Sequence, residues 1–159
     1  MTAPQRSSRA DIPAPKPPAR VRVTWAGDER FDAGRQSGGP TIRLDGSAET
    51  GPSPVDGLVS ALAACTGVDI VEILAKRRTP VERFAIDVTG ERAQTVPRRL
   101  VHVALEYHID GAAIERVHAE RAVELAVTKY CSVRDSLDPA LPVEWSVTLN
   151  GERGESRKG

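Results

Sequence analysis

The sequence predicts an α+β domain, because short alternating strands occur in pairs between two helical segments. The predicted element order is β-β-β-α-β-β-α-β, which is typical of α+β domains rather than of doubly wound parallel sheets. The 159 residues fall within the usual size of one domain, and 40% hydrophobic residues suffice for a core.

Three short strands open the predicted domain, separated by a turn at 26–29 and a Gly-rich break at 34–40. In each, apolar residues alternate with polar ones, as expected for half-buried strands. The predicted strands cover residues 21–25, 30–33 and 42–45.

The strongest helical signal follows. Ser53 can cap a helix, Pro54 suits the first helical position, and Asp56 completes a capping box. Residues 58–74 are apolar on nearly all sides, which indicates either a buried central helix or a membrane span. We favour the buried helix, because Asp69 and another acidic residue interrupt the run and a charge at bilayer depth costs about 3 kcal/mol.

The second half of the chain alternates strands and one more helix. A long strand carries His102 and His108 on a face that we expect to be solvated. Strands are predicted at 84–88, 101–109 and 143–149, and a helix at about 112–130.

The two ends differ from this domain in composition. Residues 1–20 contain five prolines and few large apolar residues, so we expect a disordered arm. The domain is predicted over 21–151, with a flexible tail at 152–159. Without a signal peptide or membrane span in this sequence, we expect a cytoplasmic protein with reduced thiols.

Composition and motifs argue against several functional classes. The chain has 22 basic and 22 acidic residues and only 4% aromatic residues, which disfavours nucleic-acid binding. It lacks phosphate-loop, dinucleotide, nucleophile-elbow and zinc-protease motifs. Its three histidines do not combine with the cysteines at zinc-ligand spacings, so we expect no metal site.

Two cysteines remain as candidates for chemistry. Cys65 lies among small residues in the apolar helix, and Cys131 ends the second helix between Lys129 and Arg134. Both can be buried small hydrophobic residues, which is common for free cysteine. The two cations near Cys131 instead favour a thiolate nearby. Cys65 lies too far from its helix start for the dipole to activate it, so a reactive Cys65 needs a cation from elsewhere in the fold.

At these cysteines the sequence resembles the OsmC/Ohr family, and most closely its YhfA-like branch. The resemblance rests on Gly-Pro-Ser-Pro at 51–54, on Ala-Leu-Ala-Ala-Cys-Thr-Gly-Val-Asp at 61–69 and on Lys-Tyr-Cys-Ser-Val at 129–133. It covers roughly residues 21–151. The 66-residue separation of the cysteines also fits the family.

This resemblance implies an intertwined homodimer, with two central helices packed against antiparallel sheets and two active sites at the interface. It implies thiol-dependent reduction of organic hydroperoxides, in which Cys65 is the peroxidatic and Cys131 the resolving cysteine. No bound cofactor is implied. An external dithiol, lipoylated or similar, would reopen the disulfide.

One position departs from the family pattern. Peroxidase branches carry a Glu after the helix-starting Pro, where it pairs with an Arg that supports the thiolate, but here Val55 stands there. The neighbouring carboxylate is Asp56, and the nearest candidate for the Arg, in a loop of the partner subunit, is Arg35. Because of Val55, a non-catalytic module that binds a small apolar ligand and a disulfide switch remain as alternatives.

Overall fold

The computed structural model describes residues 15–159 and has an α+β fold with two sheets and one long helix. The three-stranded sheet contains β1 (Val21–Trp25), β2 (Arg30–Arg35) and β3 (Thr41–Asp45). The second sheet contains β4 (Arg83–Arg92), β5 (Leu100–Asp110), β6 (Val143–Leu149), β7 (Glu152–Arg153) and β8 (Arg157–Lys158). The helices are α1 (Pro54–Lys76), α2 (Arg116–Leu125) and α3 (Ser132–Asp135), and a π-helical turn, Ala126–Tyr130, follows α2. This order confirms the mixed α+β prediction and adds the short elements α3, β7 and β8.

The family resemblance implies antiparallel sheets, but the second sheet contains one parallel pair. Strand β6 runs parallel to β5, with Val103 opposite Val143 and Ile109 opposite Leu149. The chain leaves β5, passes through α2 and returns to the neighbouring position, and such a crossover produces a parallel pair. The other pairs, in both sheets, are antiparallel.

The C-terminal residues are ordered against β6, so the prediction of a flexible tail at 152–159 was wrong. Strands β7 and β8 pair with β6, and Arg157 lies over the Trp145 ring at 5.6 Å. The unpaired backbone groups along the free side of β6 explain this pairing, because a sheet edge readily accepts another strand. Of the predicted arm, residues 1–14 lie outside the described residues, and residues 15–20 are exposed without helix or strand.

Two local networks fix the entry into α1. The buried carboxylate of Asp45 accepts hydrogen bonds from the backbone N–H and the hydroxyl of both Ser47 and Thr50. These four bonds hold the pKa of Asp45 far below its usual range. Ser53 then caps α1, and its hydroxyl and backbone N–H both bond to Asp56. The helix therefore begins at the residue that the sequence predicts.

Helix α1 is buried on one face only. Its buried residues Leu62, Ile70 and Leu74 pack into the core with inward residues of β5 and β6 and with α2. By length and composition α1 could cross a membrane, but 39% of its apolar window is buried inside this chain. Its opposite side carries an apolar stripe that the chain leaves exposed, formed by Ala61, Ala64, Val68 and Val71.

Candidate thiol site

The fold brings the two cysteines together although 66 positions separate them. Both are free thiols: Cys65 is half-buried in the middle of α1, and Cys131 is buried just beyond the π-helical turn. Cys65 lies close enough to the Cys131 side chain to raise the pKa of that thiol. The arrangement therefore places two sulfur atoms within reach of each other across the packed α1 and π-helical segments.

The π-helical turn sets the position of Cys131. Its backbone N–H bonds to the carbonyl of Ala126 at 3.1 Å, five residues back, and its backbone then becomes extended. The Cys131 sulfur next accepts a hydrogen bond from the Arg134 backbone N–H at 3.2 Å and so caps α3. Single π-helical turns are often found at functional sites. The sequence predicted a continuous helix over 112–130, and the wide turn replaces its last part.

The surroundings of Cys131 favour the protonated thiol. Burial, followed by the neighbouring Cys65 side chain, raises the pKa of Cys131 to about 11. The expectation that Lys129 and Arg134 favour a thiolate there was wrong. The Arg134 guanidinium instead bonds to the carbonyls of Asp138 and Leu141, and the Lys129 ammonium lies over the Tyr130 ring.

Selective alkylation tests this description. At about pH 8 we expect iodoacetamide to modify Cys65 first, because Cys131 is buried and its pKa of about 11 leaves little thiolate. Cys131 should react only as the pH approaches that value or when the protein unfolds. Peptide mass spectrometry gives the two rates, and Cys65→Ser protein, which should lack the fast phase, is the control. Equal rates at both thiols would contradict the assignment.

A buried hydroxyl pair lies beside the thiols, and its pairing was not predicted from the sequence. The Tyr107 hydroxyl donates to the Thr66 hydroxyl at 2.9 Å, and Thr66 donates to the Ala63 carbonyl at 2.9 Å. Burial raises the pKa of Tyr107, and nearby Cys131 raises it further. Thr66 follows Cys65 directly in sequence, and an inward-facing Tyr on β5 was the available signal.

Besides a cavity of about 580 Å³ between α1 and β4, which has Ala64 and Gly67 in its lining, two smaller cavities adjoin this region. The first, which we call the thiol cavity, has a volume of about 250 Å³ and reaches Cys131. The second, the Val55 cavity, also has a volume of about 250 Å³ and lies at the first two turns of α1. Leu137 borders both. The Val55 cavity is lined by Val55, Leu58, Leu100, Leu137, Leu141, Arg98, Arg99 and Asp138.

The other two candidate catalytic residues do not meet the thiols within one chain. The Asp56 carboxylate is occupied by the capping box, and nine residues at about 1.5 Å each place it roughly 13 Å along α1 from Cys65. Arg35 ends β2 opposite Val21 and lines a separate cleft. Among residues 15–159, no Arg or Lys side chain is hydrogen-bonded to Cys65.

The histidines lie on the surface among carboxylates. His102 lies between Glu91 and Glu144, and His108 bonds to Asp87 at 3.0 Å. Asp87, His108 and Glu106 offer ligand atoms within 4.8 Å of one another, but the Glu106 carboxylate already accepts a hydrogen bond from Arg153. These contacts are those of a surface ion-pair network.

Comparison with known proteins finds a family and a relative that match much of the chain. A sequence model of the family described as OsmC-like protein matches residues 45–146. Protein YhfA of Escherichia coli K12 is 33% identical over 128 residues, which cover 80% of this chain and 95% of YhfA.

Solved structures share the fold at lower identity. An OsmC-like protein from Mycoplasma pneumoniae superposes with a TM-score of 0.71 at 18% identity, covering 84% of this chain and 97% of its own. A Legionella pneumophila protein described as organic hydroperoxide resistance protein OsmC, a predicted redox protein, superposes with a TM-score of 0.60 at 16% identity. That match covers 82% of this chain and 96% of the other.

Proposed function

Because the chain belongs to the OsmC-like family, we propose that it is a dimeric thiol peroxidase that reduces organic hydroperoxides. The single observation that carries the proposal is the proximity of the buried Cys131 thiol to Cys65, which is close enough to raise the pKa of Cys131. The description of the Legionella neighbour as an organic hydroperoxide resistance protein supports the proposed activity on organic hydroperoxides.

The proposed reaction uses both sulfur atoms. The Cys65 thiolate attacks the terminal peroxide oxygen, the O–O bond breaks, and the alkoxide leaves as an alcohol after taking up a proton. Cys65 becomes a sulfenic acid. Cys131 then attacks that sulfur, the S–O bond breaks, and the Cys131 proton leaves with the hydroxide as water. An external dithiol, lipoylated or similar, reduces the resulting disulfide by two electrons and is itself oxidised.

The protonation state of Cys131 suits the resolving role. A thiol with a raised pKa can donate its proton toward the Cys65 sulfur, which favours charge on Cys65 rather than on Cys131. Its raised pKa also leaves little Cys131 thiolate to attack peroxide directly. Cys65, the more exposed thiol, is then the one that meets the oxidant.

Two uncovered apolar faces support the homodimer. One is the α1 stripe, where Val68 is 60% exposed. The other is one face of the β1–β3 sheet, where Trp25 is 66% and Ile42 62% exposed. At the α1 end of that face, Leu44 touches Gly57 so closely that a Cβ there would lie 2.8 Å away. The sheet face continues outward from this contact, so a second copy can cover it together with α1.

The dimer would also supply the cation that Cys65 lacks. In this proposal Arg35 of the partner subunit approaches Cys65 and lowers the barrier to thiolate formation. With Val55 in place of a carboxylate and Asp56 engaged in capping, that Arg would lack the Glu partner of the peroxidase branches. We therefore expect a peroxidase whose activity is tuned differently from that of branches with the Glu–Arg pair.

A peroxide-consumption assay tests the function. Purified protein receives cumene or tert-butyl hydroperoxide with dithiothreitol, and wild type is compared with Cys65→Ser. We expect wild type to consume peroxide and the variant to remain at background, because the Cys65 thiolate is the proposed nucleophile and a serine hydroxyl cannot replace it. Equal background consumption by both would overturn the proposal. Oxidation to a disulfide without turnover would instead indicate a redox switch.

A further inference from the structure

The Val55 cavity combines an apolar lining with two unpaired cations. Its apolar side chains come from α1, from the start of β5 and from the segment between α3 and β6, and Arg98 and Arg99 lie in the connection between β4 and β5. Within residues 15–159, neither guanidinium forms a salt bridge or a side-chain hydrogen bond. Asp138 also borders the cavity, but it forms no ion pair there, and its carboxylate accepts the Ala140 backbone N–H at 2.9 Å.

Val55 explains why this charge is uncompensated. It lines the cavity together with the two arginines, so a carboxylate at this position would face their positive charge. With Val, the position adds apolar surface instead. A cavity with an apolar interior and two free guanidinium groups is complementary to an amphiphilic anion.

The cavity lies close to the thiols along α1. Val55 and Leu58 occupy the same side of the helix as Leu62 and Cys65, at spacings of three and four residues. Leu58 precedes Cys65 by two turns, roughly 10 Å at about 1.5 Å per residue. Leu137 lines both the Val55 cavity and the thiol cavity, so the two adjoin.

We propose that Arg98 and Arg99 are specificity-determining residues that select hydroperoxides with a carboxylate head group and an apolar chain. The proposal rests on the peroxidase function proposed above. The chain occupies the Val55 cavity, the carboxylate binds the two guanidinium groups, and the peroxide group extends toward Cys65. The chemistry at sulfur is unchanged.

The test compares two substrates and three proteins. The substrates are an alkyl hydroperoxide with a terminal carboxylate and its methyl ester. The proteins are wild type, Arg98→Gln/Arg99→Gln, and the control Arg77→Gln/Arg78→Gln, which loses the same charge at the far end of α1. We expect wild type to prefer the acid about fivefold in kcat/KM, mainly through KM, because exposed ion pairs contribute modestly.

The expected differences are specific to the first pair of arginines. Arg98→Gln/Arg99→Gln should lose the preference for the acid, whereas Arg77→Gln/Arg78→Gln should keep it. Raising the salt concentration should weaken the preference in wild type. A preference that persists in Arg98→Gln/Arg99→Gln, or one that wild type does not show, would overturn the inference.

A binding measurement separates this inference from the proposed function. NMR titration with octanoate and with octan-1-ol requires no turnover. If neither hydroperoxide is consumed but octanoate binds more tightly than octanol and loses this advantage in Arg98→Gln/Arg99→Gln, the peroxidase proposal fails and anion selection stands. If octanoate shows no advantage over octanol in wild type, the anion-selecting role is overturned, whatever the peroxidase result.

Discussion

Val68→Lys is expected to convert the proposed dimer into monomers. Val68 lies in the middle of the exposed α1 stripe and is itself 60% exposed in the single chain. The substitution would weaken the free energy of association by about 2 kcal/mol per subunit, because apolar burial is lost and the lysine ammonium must be desolvated. In a twofold dimer the substitution occurs twice, so about 4 kcal/mol corresponds to a roughly thousandfold weaker association. Light scattering after size-exclusion chromatography measures the change in mass.

Val117→Lys is the matched control. Val117 on α2 is 62% exposed, almost the same as Val68, but its neighbours on that helix surface are charged residues such as Arg121. This variant should keep the wild-type mass and thermal stability. A Val68→Lys protein that remains dimeric at micromolar concentration would show that the α1 stripe is not the interface.

The same substitution probes the origin of the activating cation. If Arg35 of the partner subunit supports Cys65, monomeric Val68→Lys protein should lose most of its peroxide turnover although both thiols remain in place. Arg35→Gln should then lower activity to a similar extent without changing the mass. Full activity in the monomer would show that Cys65 needs no group from a second copy.

Local signals in the sequence were sufficient where the structure depends on neighbouring residues. The start of α1 is set by Ser53, Pro54 and Asp56, and the capping box forms among those residues alone. Strand alternation likewise predicted the inward residues of β5, such as Val103 and Tyr107. Period and capping follow from local geometry, so they can be read directly from sequence.

Long-range features were not accessible in the same way. The parallel pairing of β6 and the docking of β8 depend on which sheet edge is free, and no local pattern encodes that. The Arg98–Arg99 segment looked like a simple connection, because its role depends on a cavity formed with α1 and Leu141. The sequence predicted that the cations flanking Cys131 favour its thiolate, but the Arg134 guanidinium bonds to backbone carbonyls instead of the sulfur.

The proximity of the two thiols was expected from family resemblance rather than from the residues. Nothing in the helical pattern of 58–74 or 112–130 specifies that Cys65 and Cys131 meet. The π-helical turn at Ala126–Tyr130 precedes Cys131 directly, and the proximity of Cys131 to Cys65 depends on that turn. Burial then determines which of the two sulfurs holds its proton.

Cys131→Ser is expected to stop the catalytic cycle at the sulfenic acid of Cys65. Without reductant, one equivalent of hydroperoxide should convert wild type into the Cys65–Cys131 disulfide, because the two thiols already lie near each other. The variant lacks the attacking sulfur, so its Cys65 sulfenic acid should persist and react with dimedone. Intact-mass spectrometry distinguishes the disulfide, which has lost two hydrogens, from the dimedone adduct.

The fate of the trapped sulfenic acid gives the larger effect. With excess hydroperoxide, Cys65 in Cys131→Ser should gain a second oxygen and become an irreversible sulfinic acid, so turnover with dithiothreitol should decay within a few cycles. Wild type should resist this because disulfide formation competes. The Ser136→Ala control removes a hydroxyl that bonds the Ser132 carbonyl just beyond Cys131, and it should behave as wild type. Dimedone labelling of wild type as strong as that of Cys131→Ser would show that Cys131 does not resolve the oxidised Cys65.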